Sequence, residues 1–491
     1  MLALASLHIA KLQNGPITAS LKHYAFGLRR VAKSVSLPTR RGQPATLAAA
    51  MLLAFYECWS AEHQKWSNHL LGARMLVKEI DFVGMTRQIK SIKAQQRREE
   101  QARDYHLGQN QQDPRAAFNS RTSYQRLAED VDENIVAMLM GKKPRYDEYG
   151  RILDDDLPDN GRPKAYTQRD FEIYETQRDL FWWYCKQDTY QSILGGGKLF
   201  MDYDRWSHCP PRAPLGRLNA TYGTFDHLIL LMGRLADFTS KDIKRKRLAL
   251  KANGVWRPPI TPTTSSQMSG KSAVQGPQQN PTAVPSSQIP AFSGMVPGVI
   301  EAKLPMGFEP SRDQSPQSTR SDEMDLDAMR VEAEEEWQEI RHAFSVLEDH
   351  FGDDFQALGP EFSAPIQTPF GTALQYRTYG IAGIWMNYYM ALIACHRAHP
   401  SMPPAAMMAA SITAQQTAFF ANEIGRISAG ISPDCSMTTQ VSPGVGAALI
   451  ESSTCLFVAG VQVRWIIFCQ RILLILKFAV SKCCTAQMDG R

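Results

Sequence analysis

Large apolar residues in this chain return at steps of three and four, and nowhere alternate over the length of a strand. A helix puts positions i, i+3, i+4 and i+7 on one face, whereas a strand turns every second residue inward, so this spacing admits helices and excludes a sheet-built core. The clearest instance runs from Ala45 to Ile80. Leu47, Met51, Ala54, Phe55 and Cys58 form one stripe, and Trp66, Leu70, Ala73, Val77 and Ile80 form a second after the polar turn Ser60-Ala61-Glu62. Pro44 stands at a first helical turn, where a missing N–H is tolerated. His63, Lys65, Arg74, Lys78 and Glu79 occupy the outer face of the second stripe. Two such helices cannot bury their stripes on each other alone, so others must pack against them.

The same spacing recurs along the chain. Helices are predicted over Leu2–Leu12, stopped by Asn14-Gly15-Pro16, and over Ile17–Ser36, with Leu21, Tyr24, Leu28 and Val31 on its apolar side. The helix ending near Ile80 is expected to continue through the basic run Gln88–Arg103. A helix is also expected within Tyr124–Met140. Phe171, Tyr174, Phe181, Trp182 and Cys185 mark a long helix that stops at Gly195-Gly196-Gly197, and Tyr222–Lys251 is another. Beyond the linker, helices carry Leu326 to Phe351, Ile381 to Cys395, and Pro403 to Gly430, the last opened by proline and closed by glycine.

Gly254–Asp322 differs in kind. It is rich in Pro, Ser, Thr and Gln with few large apolar residues. Such a segment cannot bury enough surface to offset its ordering entropy and is expected to stay disordered. The organisation that follows is an N-terminal helical part (1–109), a polar loop-rich segment (110–165), a middle helical part (166–252), a disordered linker (253–323), a C-terminal helical part (324–482) and a tail (483–491). The fold class is all-α, a multi-helix bundle interrupted by that linker.

Composition narrows the function classes. A net charge of +5 over 491 residues is too dilute to argue for nucleic acid by itself. The nine cysteines form no C-x-x-C pair, and their odd number at irregular spacing suits buried thiols in a reducing compartment better than a disulfide framework. Met1–Ala10 is apolar but lacks a preceding basic region. Cys455–Ser481 is interrupted by Arg464, Gln470, Arg471 and Lys477, and central arginines are costly in a lone membrane span. An intracellular chain that makes no membrane contact is expected.

Catalytic signatures fail one by one. Asp155-Asp156-Leu157-Pro158-Asp159 matches the acidic pattern by which all-α magnesium-dependent enzymes hold their metal, but Pro158, Gly161 and Pro163 deny it the helix such carboxylates need. Gly195-Gly196-Gly197-Lys198 lacks the leading glycine and the trailing hydroxyl of a phosphate loop, with Ser192 and Leu199 in those places. Cys395 and His399 lie one helical turn apart beside His396, yet no second ligand pair accompanies them. No catalytic residue, cofactor site or metal site is assigned. Lys244-Arg245-Lys246-Arg247 is a compact basic cluster of the kind read by nuclear import machinery, or equally a solvated helix end whose cations complement the dipole.

Several stretches together carry a family resemblance. These are ALASLHIAKLQ, ITASLKHYAFGLRRV and the Ala45–Ile80 pair; RDLFWWYCKQDTYQSIL (Arg178–Leu194), with Tyr184 followed by Asp188; Thr221–Arg247; GIWMNYYMALIACHRAHPSMPP; and ESSTCLFVAGVQV. As a set they resemble the fungal-specific transcription factor domain, the regulatory region of zinc-cluster regulators. The resemblance implies an all-α regulatory domain, a nuclear location and action through protein co-regulators, self-association or a small effector held between helices. The family reads DNA through six cysteines that bind two zinc ions. This sequence has no such set, so DNA contact is expected only if a zinc cluster is encoded upstream of Met1. Val463-Arg464-Trp465 also follows VAGVQV without the family's polar loop. The leading expectation is a non-enzymatic fungal transcriptional regulator. A non-catalytic α-helical interaction scaffold is the alternative, and an all-α magnesium-dependent enzyme a remote one.

Overall fold

The computed structural model describes residues 1–60, 62–107, 131–142, 167–253, 326–362, 364–431 and 443–462. The chain order is α1 (Leu2–Leu12), α2 (Thr18–Val35), the single turn α3 (Pro38–Arg41), α4 (Pro44–Trp59), α5 (His63–Lys78), α6 (Phe82–Leu107), α7 (Glu133–Met140), α8 (Gln168–Gly195), α9 (Thr221–Asn253), α10 (Leu326–Asp349), α11 (Tyr379–Ala398), α12 (Ala406–Ile431) and α13 (Pro443–Gln462). The all-α expectation holds. Among the described residues the one departure is a two-residue hairpin, β1 (Gln367–Thr368) against β2 (Gly371–Thr372), antiparallel with Gln367 opposite Thr372.

α8 and α9 form the axis of the molecule. They pack on each other, α8 receives the α4–α5 hairpin on one side, and α9 receives α7, α10 and α11 on the other. α1 and α2 pair and rest on α4 through α2, while α11, α12 and α13 form a mutually packed trio. One contiguous set of buried residues runs through all of this, from Leu47 and Met51 through Tyr184 and Leu231 to Ile384 and Leu456. Burial of the axis explains why the aromatic run of α8 tolerates Trp182, Tyr184 and Cys185 side by side: all three are in the core.

Buried polar groups fix how the axis is closed. The Asp188 carboxylate accepts the backbone N–H groups of Phe200 and Met201 at 2.8 and 2.9 Å, and Gln191 Nε2 at 3.0 Å. It thereby holds the return strand of chain after α8, which stops at Gly196 in the left-handed region (φ 64°), where glycine carries no steric penalty. Burial outweighs these donors and lifts the Asp188 carboxyl to about 6. Arg212 clamps α8 to α9 by donating to Asp226 at 2.8 and 2.9 Å and to Asp179 at 2.7 Å.

Four expectations need correction. The helix of the second opening stripe ends at Lys78 and a separate helix starts at Phe82, where Asp81 accepts the Gly84 N–H at 2.8 Å. The break turns Phe82 onto the Tyr174 and Phe181 rings of α8, which a straight continuation would not do. On α4, Phe55 is half-buried and Cys58 exposed, while Tyr56 and Glu57 face inward. On α2, Leu21 and Leu28 are exposed. The residue buried in full there is Ser20, which donates to the Ala3 carbonyl at 2.8 Å and meets the Tyr56 hydroxyl at 2.9 Å. The helix expected within Tyr124–Met140 is present over Glu133–Met140, where Val136, Leu139 and Met140 bury it against the core. Gly430 does not end α12. It lies within the last turn, where a Cβ would collide with the Leu374 carbonyl oxygen, so close approach explains the glycine.

The linker Gly254–Asp322, Asp155–Asp159 and the apolar tail beyond Gln462 lie outside the described residues. Among the described helices, Gly444–Gln462 is long and apolar enough to cross a membrane by length and composition. It packs against α11 and α12, with Cys455, Leu456 and Ala459 buried.

Candidate functional site

The basic cluster Lys244–Arg247 sits near the C-terminal end of α9 and is divided by burial. Lys244 and Arg247 are exposed; Arg245 and Lys246 are buried. Both buried cations turn to Asp242, Arg245 Nε donating at 2.6 Å and Lys246 Nζ lying 2.9 Å away. They also satisfy carbonyls that α11 leaves open at its end. Lys246 Nζ donates to Ala398 and His399 at 3.0 and 2.8 Å, and Arg245 donates to Pro400 at 2.9 Å. Burial lowers the Lys246 ammonium, and Asp242 opposes that shift.

Cys395, His396 and His399 do not converge on a common point. Cys395 is buried, and its carbonyl accepts the Trp337 indole N–H at 2.8 Å. His399 stacks edge-on against Trp337 and lies 3.4 Å from Glu334. Among the described residues no group of three or more His, Cys, Asp or Glu side chains is placed to hold a metal. The glycine run closes α8, with Ser192 donating to the Gly197 carbonyl at 2.6 Å, and Lys198 is exposed. Asp155–Asp159 falls outside the described residues.

The feature that sequence reasoning missed is a cleft of about 760 Å³ between α4, α5, α8 and α13, closed at one edge by Lys11 of α1. That is the size range in which proteins hold small molecules. α4 supplies Phe55, Glu57 and Trp59, and α5 supplies His63 and Trp66. From α8 come Trp183, Lys186 and Tyr190, one helical face at steps of three and four; α13 presents Ile450, Glu451 and Thr454.

Aromatic rings dominate the wall and brace one another. His63 meets Trp66 edge-on at 5.4 Å, and Phe55 meets Trp59 at 6.2 Å. The Trp66 side chain is 6% exposed and its indole N–H is buried without a hydrogen-bond partner. Tyr190 is held by its hydroxyl, which donates to Asn387 of α11 at 2.6 Å.

Charges punctuate this apolar surface. Lys186 is buried, pairs with the half-exposed Glu451 and stands 4.9 Å above the Phe225 ring. Lys11 donates to the Trp59 carbonyl. Glu57 is 2% exposed, and it neighbours Tyr24, whose hydroxyl meets His69 Nε2 at 2.7 Å and whose phenol is pushed up first by burial and then by Glu57. Among the described residues no cation pairs with Glu57. Burial lowers the His63 imidazole, which favours its neutral form. Such a lining orients an apolar body by a few polar points.

Periodicity places Phe55 and Trp66 on apolar stripes and His63 on an outer face, and so points to no cleft. The signal for a cleft is the presence of Glu57 and Lys186 within otherwise apolar helical faces, where a charge has no place unless something meets it.

Residues 1–106 match the family model described as the fungal specific transcription factor domain. The match takes in α1 to α5 and nearly all of α6, and therefore two of the cleft's principal walls. No curated protein and no solved structure matches the chain.

Proposed function

We propose that this chain is a nuclear transcriptional regulator of the fungal zinc-cluster type, without catalytic activity, whose helical domain responds to a small effector held in the cleft. The match over residues 1–106 carries the regulatory part of this reading. The cleft supports the effector part, because it joins the matched helices α4 and α5 to α8 and to α13, elements far apart in sequence. An occupant that touches all four changes their relative free energies and so shifts the balance between arrangements of the domain. Its partners are protein co-regulators, and DNA contact would require a zinc-cluster module encoded upstream of Met1. The run Lys244–Arg247 is the proposed import cluster, with Lys244 and Arg247 as its solvent-facing members.

Tethering tests the regulatory reading. The full chain, fused to an unrelated DNA-binding module, is expected to change transcription of a reporter carrying that module's sites in a fungal host. A fusion that is nuclear, intact and bound, yet leaves the reporter at the level of the module alone, would overturn it.

A further inference from the structure

We infer that the occupant of the cleft is a small organic cation with an apolar body, a tertiary or quaternary amine bearing an aromatic or branched aliphatic group. This rests on the reading of the cleft as an effector site and names the chemistry of what enters it.

The charges of the wall carry the argument. Three acidic residues, Glu57, Glu62 and Glu451, and two lysines, Lys11 and Lys186, line it. Both ammonium groups are already engaged, Lys11 with the Trp59 carbonyl and Lys186 with Glu451. An anionic ligand would have to detach Lys186 from Glu451 and then lie near two further carboxylates. A cationic ligand would meet Glu451 already paired with Lys186 and Glu62 with Lys65, but it finds Glu57 without a cation partner among the described residues. It supplies the counter-charge that this buried residue lacks.

The rings point the same way. Trp59, Trp66, Trp183 and Tyr190 offer aromatic faces or edges to one space, and a cation over an aromatic face gains through the ring quadrupole. The protein already uses this at the cleft wall, where the Lys186 ammonium lies 4.9 Å from the centre of Phe225 and 5.8 Å from that of Tyr190.

Three probes of one shape decide the matter on the full chain: a phenylalkyl trimethylammonium ion, its neutral tert-butyl counterpart and the corresponding carboxylate. Binding is read by quenching of tryptophan fluorescence and by calorimetry. The cation is expected to bind one to one and about five-fold or more tighter than the neutral probe, with the carboxylate weakest. Glu57→Gln is expected to narrow the preference for the cation over the neutral probe without abolishing it, by weakening the cation alone; an undiminished preference would overturn the role given to Glu57. Glu62→Gln alters a side chain that is 53% exposed and so leaves the fold intact; it is expected to weaken the cation alone, by about two-fold. Equal or tighter binding of the neutral probe or the carboxylate would overturn the assignment while leaving the cleft as a binding site. Absence of binding by all three up to millimolar concentration would overturn the assignment and the effector reading of the cleft together.

Discussion

At the scale of single residues, two positions separate the structural account from propensity alone. Gly430 lies inside a helix, where alanine is ordinarily the better residue by about 1 kcal/mol. The Leu374 carbonyl occupies the place of the missing Cβ. Gly430→Ala is therefore expected to destabilise the fold, by about 1–3 kcal/mol, when unfolding is followed in urea; a stabilised variant would show the contact to be wrong. Asp188 gives the second case. Asn in its place keeps the shape but presents an amide to groups that all donate, Phe200 N, Met201 N and Gln191 Nε2. A loss of about 1–3 kcal/mol is expected. The periodicity of the sequence marks Asp188 as lying on a helix, and the resemblance singles out its pairing with Tyr184. Neither indicates that the carboxylate holds the chain twelve residues on, because that depends on where the return segment passes.

At the scale of elements, the end of α9 is the most informative. Asp242, Arg245 and Lys246 form one buried unit that ties α9 to the last carbonyls of α11. Asp242→Ala leaves two cations buried without their counter-charge, and is expected to cost about 3–5 kcal/mol. Lys244→Ala with Arg247→Ala removes only exposed charge and is expected to change stability by less than about 0.5 kcal/mol. The same pair of variants addresses import. Nuclear accumulation of a tagged chain that falls in the exposed-pair variant, at unchanged thermal stability, assigns import to the cluster; unaltered accumulation removes it from that role. In the sequence the four cations look alike. What divides them is the helical step of α9 and the position of Asp242 three and four residues earlier, a pattern that is readable in principle. Recognising α11 as the element beneath it required the fold.

At the scale of the whole molecule, helix order and approximate bounds were legible because apolar steps of three and four are local. The pairing of α8 with α9, and the meeting of α4, α5, α8 and α13 around a cleft, were not, since no local pattern says which stripe covers which. Buried ionisable groups also give the molecule a common response to acid. Burial lowers His69 and His227 to about 4 from the ordinary 6.5, and lowers His63, His396 and His399 in the same direction. In this window the unfolded chain takes up the protons that the native state refuses, so stability falls as pH drops below about 6.5. Asp188, raised from 3.8 to about 6, opposes this, as do Asp226 and Glu336, because the native state binds those protons more readily than the unfolded chain. His69 and His227, each brought down to about 4, set the sign against Asp188, raised to about 6, and between pH 6.5 and 6 the histidines act against little opposition. Denaturation midpoints are accordingly expected to fall from pH 6.5 towards pH 4, and a midpoint that rises over that range would contradict the assignment of these groups.

The central claim is that regulation passes through the cleft. It is tested most directly by filling the cleft from its α13 wall, with Thr454→Trp in the full chain tethered at a reporter. Thr454 is half-buried on that wall, and an indole there occupies space an effector would need. The account predicts a reporter output that no longer varies with the growth conditions that move the unaltered fusion, at unchanged abundance and thermal stability. A stable, nuclear Thr454→Trp fusion that responds as fully as the unaltered one would contradict it.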